Sequence, residues 1–82
     1  MMLLADGYEG AFLGVGRRNG FEYAIYDEEK CLEILMHRDG MSMDEAVDFF
    51  EYNTIGAWVG DDTPIFVKMQ SLDEVKWMAE NG

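Results

Sequence analysis

The dipeptide Asn19-Gly20, set between the runs AFLGVGRR and FEYAIYD, constrains the fold more than any other feature. Both residues tolerate the positive φ of a type I′ turn, so the pair predicts a β-hairpin with a two-residue loop. Such a turn fixes the register and opposes Arg17 to Glu22. Period-two alternation divides the side chains between two faces, one carrying Phe12, Gly14, Gly16, Tyr23 and Ile25 and the other Leu13, Val15, Ala24 and Tyr26. The glycines leave space for Tyr23 and Ile25, or alternatively for a closely packed helix.

Two helices are predicted to follow the hairpin. Asp27 is placed to cap the segment EEKCLEILMHR, and Gly40 supplies a left-handed stop after it. Ser42 and Glu45 have the spacing of a capping box, which opens the second helix. Apolar residues at helical spacing predict the inward faces, which are Cys31, Leu32, Leu35 and Met36 in the first helix and Ala46, Val47, Phe49 and Phe50 in the second. Asn53, four residues after Phe49, is expected on the same inward face.

The remaining chain predicts one strand and one short helix. The segment TPIFVKM reads as a strand with Pro64 at its start, and SLDEVKWMAEN reads as a helix that begins with a second capping box, Ser71 to Glu74. Its expected inward stripe is Val75, Met78 and Ala79, which leaves Trp77 as an exposed aromatic residue.

These elements form one α+β domain spanning residues 1–82, in the order β-β-α-α-β-α. We expect a small three-stranded antiparallel sheet in which the third strand returns beside the first. The central helix pair covers one face of this sheet, and the short C-terminal helix completes the chain.

The charge balance restricts the possible partners. Six Lys and Arg residues stand against seventeen Asp and Glu residues, a formal net charge of −11. This disfavours binding to nucleic-acid phosphates or anionic membranes, and it suits either solubility alone or a basic protein partner. The second predicted helix carries Asp44, Asp48 and Glu51 on one side and no Lys or Arg. It therefore cannot serve as the recognition helix of a DNA-binding helix-turn-helix.

The residues that usually carry chemistry do not form a set. One cysteine, Cys31, allows no internal disulfide, and with the single His37 it makes no zinc site. Ser42 and Ser71 are explained as helix caps, and no second histidine is present to act as a base. We therefore expect no catalytic residue, no cofactor and no enzymatic activity. Without an apolar run long enough to span a bilayer or to form a signal sequence, a cytoplasmic protein is expected.

The least regular stretch, 51–64, leaves two questions open. Trp58 is either a core residue or an exposed anchor for a partner. Asp61 and Asp62 make either a polar turn or a weak cation contact. The alternative function is accordingly a divalent-cation-binding protein, or a metal-dependent enzyme, that uses acids near these aspartates. A further alternative is a homo-oligomeric structural protein, with a dimer as one possible state.

A set of short motifs from Tyr26 to Phe66 resembles a family of small uncharacterised proteins of tailed phages and environmental viral sequences. The shared residues are Tyr26-Asp27, Lys30, Gly40-Met41-Ser42, Glu45-Ala46, Asn53, Gly56-Ala57, Gly60 and Thr63-Pro64. They cover about half of the chain and are mainly residues of caps and turns, so the resemblance implies a fold and no site residues. It also implies a viral accessory protein, a class in which many members bind host proteins.

The leading hypothesis is a non-enzymatic interaction module in the host cytoplasm. Its partner is a basic protein surface, such as the nucleic-acid-binding groove of a host enzyme. The predicted binding residues are Asp44, Asp48, Glu51 and Trp77.

Overall fold

A three-stranded sheet packs against a pair of helices in the computed structural model, which describes residues 2–56 and 62–82. The elements are a 3-10 turn (Glu9–Ala11), β1 (Phe12–Arg18), β2 (Phe21–Asp27), α1 (Glu28–Asp39), α2 (Met43–Phe49), a π-helical segment (Phe50–Ile55), β3 (Ile65–Val67) and α3 (Leu72–Asn81). The α+β class and the order β-β-α-α-β-α are as predicted.

The hairpin follows the predicted turn and register. Asn19 and Gly20 adopt φ values of 52° and 81°, as a type I′ turn requires. Arg17 pairs with Glu22, but a bulge lies between Phe12 and Gly14. The bulge shifts the alternation by one residue, so Phe12 opposes Tyr26 instead of sharing a face with Gly14. The predicted face of Phe12 was therefore wrong.

The third strand is placed differently from the prediction. β3 pairs with β2 rather than β1, and the pair is parallel, with Tyr26 opposite Phe66. The sheet is thus mixed, with the order β1-β2-β3. A parallel pair needs a long crossover connection, and the two helices between β2 and β3 supply one. The expectation of a fully antiparallel sheet was wrong because nothing local in the sequence determines which side of the hairpin receives the returning chain.

The caps of the two central helices are confirmed. The Asp27 side chain accepts a hydrogen bond from the Lys30 N–H, and Gly40 is left-handed with φ 68°. Ser42 and Glu45 form the reciprocal capping box of α2. Cys31, Leu35, Ala46 and Phe50 are buried, and Leu32 and Met36 are half-buried. Val47 and Phe49, predicted to face inward, each remain 37% exposed, because the buried side of α2 is the narrower line through Ala46 and Phe50.

The end of α2 widens into a π-helical segment, which changes the residue that faces the core. The Gly56 N–H donates to the Glu51 carbonyl at 3.0 Å, a bond across five residues. Thr54 is buried in this segment, whereas Asn53 is exposed. The predicted burial of Asn53 was wrong, since it continued the α-helical spacing from Phe49.

The N-terminal segment completes the core. Ala5, Tyr8 and Ala11 are buried together with Ala24 and Tyr26 of β2. The ring of Phe50 makes edge contacts with Tyr8 and Phe66, at centroid distances of 6.1 and 5.1 Å. The core therefore lies between one face of the sheet, the helix pair and the N-terminal segment.

The C-terminal helix buries none of its side chains. Ser71 caps α3 by accepting from the Glu74 N–H, which is the serine half of the predicted capping box. The predicted inward stripe is not inward, because Val75 and Met78 are exposed. The amphipathic spacing correctly identified an apolar side of α3. It could not show whether another part of the chain covers that side. Within residues 2–56 and 62–82, no helix has the length and apolar composition that crossing a bilayer requires.

Candidate protein-binding surface

Three carboxylates lie on one exposed side of α2 and the π-helical segment. Asp44, Asp48 and Glu51 are all exposed, and among the described residues none of their carboxylates forms an ion pair or a hydrogen bond. Their spacing of four and three residues places them on one side of a helix. We call this set the acidic α2 face. It presents unneutralised negative charge to solvent, as the sequence predicted.

The fourth acid of this helix, Glu45, has a structural role. Its Oε1 accepts a hydrogen bond from the Ser42 N–H at 2.9 Å, and the Glu45 N–H donates to the Ser42 hydroxyl. The bond from the Ser42 backbone N–H, together with a weaker interaction with the Ser42 hydroxyl, lowers the pKa of the Glu45 carboxyl. Glu45 is therefore a capping residue and stands apart from the acidic α2 face.

A shallow groove of about 160 Å³ adjoins the acidic α2 face at Glu51. Its other lining residues come from α1, α2 and the segment after β3: Glu28, Leu32, Val47, Phe50 and Lys68. Lys68 Nζ lies 3.9 Å from Glu28 Oε2. The groove has an apolar floor and a charged rim. In that rim, Glu28 already has the cation of Lys68 nearby.

Tyr52 extends the candidate surface and was missed as a binding residue. It follows Glu51 directly and is 80% exposed. Tyrosine is enriched at protein interfaces because its ring offers a large contact area with a polar end. Little in the sequence indicated this exposure, because the direction in which each residue after Phe49 points depends on the π-helical winding.

Trp77 is exposed, as predicted, but it lies on α3. There it lines a shallow depression with Asp73, Glu74 and Met78. No residue of the acidic α2 face lines this depression. The four predicted binding residues therefore divide into three on one surface and one on a separate helix.

Asp61, half of the predicted Asp61–Asp62 cation contact, lies in 57–61, outside the described residues, and so does Trp58, which was predicted as either a core residue or an exposed anchor. Within residues 2–56 and 62–82, no three His, Cys, Asp or Glu side chains are grouped so that they can hold a metal ion. The cation-binding alternative thus gains no support from the described geometry.

The one cysteine is poorly suited to act as a nucleophile. Cys31 is fully buried in α1 against the core. Burial, with smaller contributions from the nearby charges of Asp27 and Glu28, raises the pKa of its thiol to about 12. The thiolate is the reactive form of cysteine, so this side chain is expected to be inert near neutral pH.

Comparison with known proteins does not assign the chain to a family. No protein-family model matches it, and searches of curated proteins and of solved structures found no match. The resemblance to small phage proteins therefore stays a prediction.

Proposed function

We propose that this protein is a non-enzymatic interaction module that binds a basic protein surface through its acidic α2 face. The observation that carries this proposal is the exposure of Asp44, Asp48 and Glu51 without a cation partner among the described residues. Like charges at this spacing cost a helix a few tenths of a kcal/mol per pair. Asp48 and Glu51 lie beyond the first turn, where the helix dipole gives no compensation. A basic partner would remove this repulsion.

The preferred partner is a surface that binds nucleic acid. Successive residues of the acidic α2 face are about 6 Å and about 4.5 Å apart along the helix axis, from the rise of about 1.5 Å per residue. One strand of DNA carries a phosphate about every 3.4 Å along its axis. The carboxylates are thus spaced closely enough to engage neighbouring Lys and Arg side chains that otherwise contact phosphates, and Tyr52 offers an adjoining ring.

The proposed origin of this module is a phage or another virus, and its proposed site of action is the host cytoplasm. The supporting feature is the motif resemblance between Tyr26 and Phe66. A viral protein that occupies the groove of a host nucleic-acid enzyme would need no catalytic residue and no cofactor of its own.

The test compares two triple variants that remove the same charge. Asp44→Asn/Asp48→Asn/Glu51→Gln neutralises the acidic α2 face. Asp6→Asn/Glu29→Gln/Glu33→Gln neutralises three exposed acids elsewhere and serves as the control. Each protein is immobilised and challenged with host lysate at 50 and 300 mM salt, and the captured proteins are quantified by mass spectrometry.

We expect nucleic-acid-binding proteins on the wild type and the control at low salt, and their loss from the first variant. Duplex DNA added in excess should compete for the same proteins. Salt at 300 mM should release them, because screening weakens contacts between exposed charges. Capture that is equal for both triple variants, or that resists salt, would contradict the proposal.

A further inference from the structure

Two apolar surfaces of this chain have no cover among the described residues. The first is the outer face of the sheet, formed by Phe21, Tyr23, Ile25 and Ile65. The paired registers place these residues on the side opposite Ala24 and Tyr26, which face the core. Phe21 is 56% exposed and Ile65 is 43% exposed. We call this surface the outer sheet face.

The second surface is the apolar side of α3. Leu72, Val75 and Met78 are 68%, 45% and 49% exposed, and with Ala79 they form a line at helical spacing. We call this line the α3 stripe. An amphipathic helix gains most of its stability by packing its apolar side, and a ten-residue helix is marginal alone in water. Packing against a partner surface would therefore stabilise the α3 stripe.

The accessible area of the chain indicates how large that partner contact is. A compact monomer of 9.4 kDa exposes roughly 5,000 Å², whereas this chain exposes 6068 Å². The surplus of roughly 1,000 Å² is close to the area of about 800 Å² that each partner buries in a standard protein interface. The radius of gyration, 14.0 Å, likewise exceeds the value of about 12 Å for a compact chain of this length.

The charges beside the two surfaces are complementary. Arg18 opposes Phe21 across the hairpin and so lies on the outer sheet face at its hairpin end. Among the described residues Arg18 has no ion-pair partner. Glu74 in the first turn of α3 precedes Met78 of the α3 stripe by four residues and so lies beside it. A second copy of α3 can therefore bring this carboxylate to the exposed guanidinium while its apolar side covers the sheet.

From these observations we propose that the protein forms a reciprocal homodimer in which the α3 stripe of each chain packs on the outer sheet face of the other. A two-fold contact of this type is self-complementary and buries both surfaces of both chains at once. Gly14 lies on the same sheet face, and nothing beyond its chain neighbours is within 4 Å of the position that a Cβ would take, which leaves room for a helix there; over Gly16 that space is taken by the Ile25 side chain. The acidic α2 face takes no part in this contact.

The oligomeric state tests the proposal first. Light scattering coupled to size-exclusion chromatography should give the mass of a dimer for the wild type at about 100 µM. Val75→Asp/Met78→Asp should weaken the association about a hundredfold or more, because it buries unpaired carboxylates in an apolar contact. The variant should still fold, since neither side chain is buried within the chain. Trp77→Asp is the matched control: Trp77 is exposed on α3 but lies outside the α3 stripe, so this variant should remain dimeric.

Cysteine crosslinking tests the pairing itself. One chain carries Val75→Cys and another carries Ile65→Cys, and Cys31 stays in place because it is buried. An equimolar mixture, oxidised with copper phenanthroline, should form the mixed disulfide, whereas Trp77→Cys with Ile65→Cys should not. The bond requires Cα atoms within about 7 Å, so it reports direct contact.

Three outcomes would overturn the proposal: a monomeric wild type at 100 µM, a dimer unaffected by Val75→Asp/Met78→Asp, or crosslinks only between two Val75→Cys chains. The triple variant Asp44→Asn/Asp48→Asn/Glu51→Gln should keep the dimer. Loss of partner capture in that variant therefore tests the acidic α2 face separately from the dimer.

Discussion

Two buried hydroxyl groups attach the N-terminal segment to the rest of the core. The Tyr26 hydroxyl accepts a hydrogen bond from the Ala5 N–H at 2.9 Å. The hydroxyls of Tyr8 and Thr54 lie 2.9 Å apart and are hydrogen-bonded to each other. An unpaired polar group in a core is costly. These bonds therefore determine which residues pack together, and they also stabilise that packing. Thr54 lies in the π-helical segment, and its hydroxyl there reaches that of Tyr8.

The hydroxyls of Tyr8 and Thr54 should stabilise the fold as a pair. The stability lost in the two single variants should therefore sum to more than the stability lost in the double variant. Thr54→Val and Tyr8→Phe each leave one hydroxyl unpaired, and each should lower the free energy of unfolding by about 1–3 kcal/mol. The double variant should lose less than the sum, because neither hydroxyl then remains. Urea denaturation of the four proteins measures the coupling. Strictly additive losses would show that the two hydroxyls do not interact.

The buried thiol should make folding stability fall at alkaline pH. Burial raises the pKa of Cys31 from 9.0 to about 12, so the folded state keeps its proton after the unfolded state has lost it. The folded state then binds more protons, and stability decreases as the pH rises from about 9 towards 12.

The difference in unfolding free energy between the wild type and Cys31→Ala, measured at pH 7.5 and pH 10, isolates this contribution from that of other titrating groups. The wild type should lose more stability than the variant over this interval. A thiol reagent should modify Cys31 at pH 8 only as fast as the protein unfolds. Rapid modification of the native protein would contradict the burial of this side chain.

At the level of elements, the two serine-capped helices differ in whether they contribute buried residues to the core. Ser42 caps α2, whose Ala46 is fully buried, and Ser71 caps α3, which buries no residue. Loss of an N-cap costs about 1 kcal/mol of helix stability. That cost reaches the global fold only where the helix is part of the cooperative core.

Ser42→Ala should therefore lower the free energy of unfolding by about 1 kcal/mol. Ser71→Ala should leave it unchanged and reduce only the helical circular dichroism of the native baseline. Both variants are best measured in denaturant titrations at about 1 µM, where the proposed dimer contributes least. Equal destabilisation by both substitutions would mean that α3 folds as part of the core.

Local signals in the sequence were sufficient for some elements but not for their arrangement. Asn19-Gly20 determined the hairpin register, and the caps at Asp27 and Ser42 located the helix starts, because each depends on neighbouring residues alone. The parallel pairing of β3 depends on the crossover path between β2 and β3. The burial of Thr54 depends on a partner 46 residues away.

The candidate surface was partly predictable for the same reason. The exposure of Asp44, Asp48 and Glu51 follows from helical spacing, and the capping role of Glu45 follows from its distance to Ser42. Tyr52 was missed because its exposure depends on the π-helical winding, and the separation of Trp77 from the α2 acids depends on tertiary structure.

At the scale of the whole molecule, the two ends of the chain contribute unequally to one fold. The N-terminal segment places Ala5, Tyr8 and Ala11 in the core, and Arg38 at the end of α1 donates from Nη1 to the Gly7 carbonyl at 2.8 Å. The C-terminal helix buries nothing within its own chain. Among the described residues, the buried core therefore extends from Ala5 near the N-terminus to β3.

Deletions of similar length at the two ends should have opposite consequences. A chain lacking residues 71–82 keeps every buried residue of the core and should unfold cooperatively, with a midpoint within a few degrees of the wild type at about 1 µM. A chain lacking residues 2–11 loses three buried side chains and the bond from Ala5 to Tyr26, each removal costing on the order of 1 kcal/mol or more, and should not fold cooperatively. Thermal unfolding followed by circular dichroism, with amide spectra of the truncated chains, distinguishes the two. If removal of residues 71–82 also abolished cooperative unfolding at this concentration, α3 would have to pack within its own chain, and the outer sheet face would be its natural place.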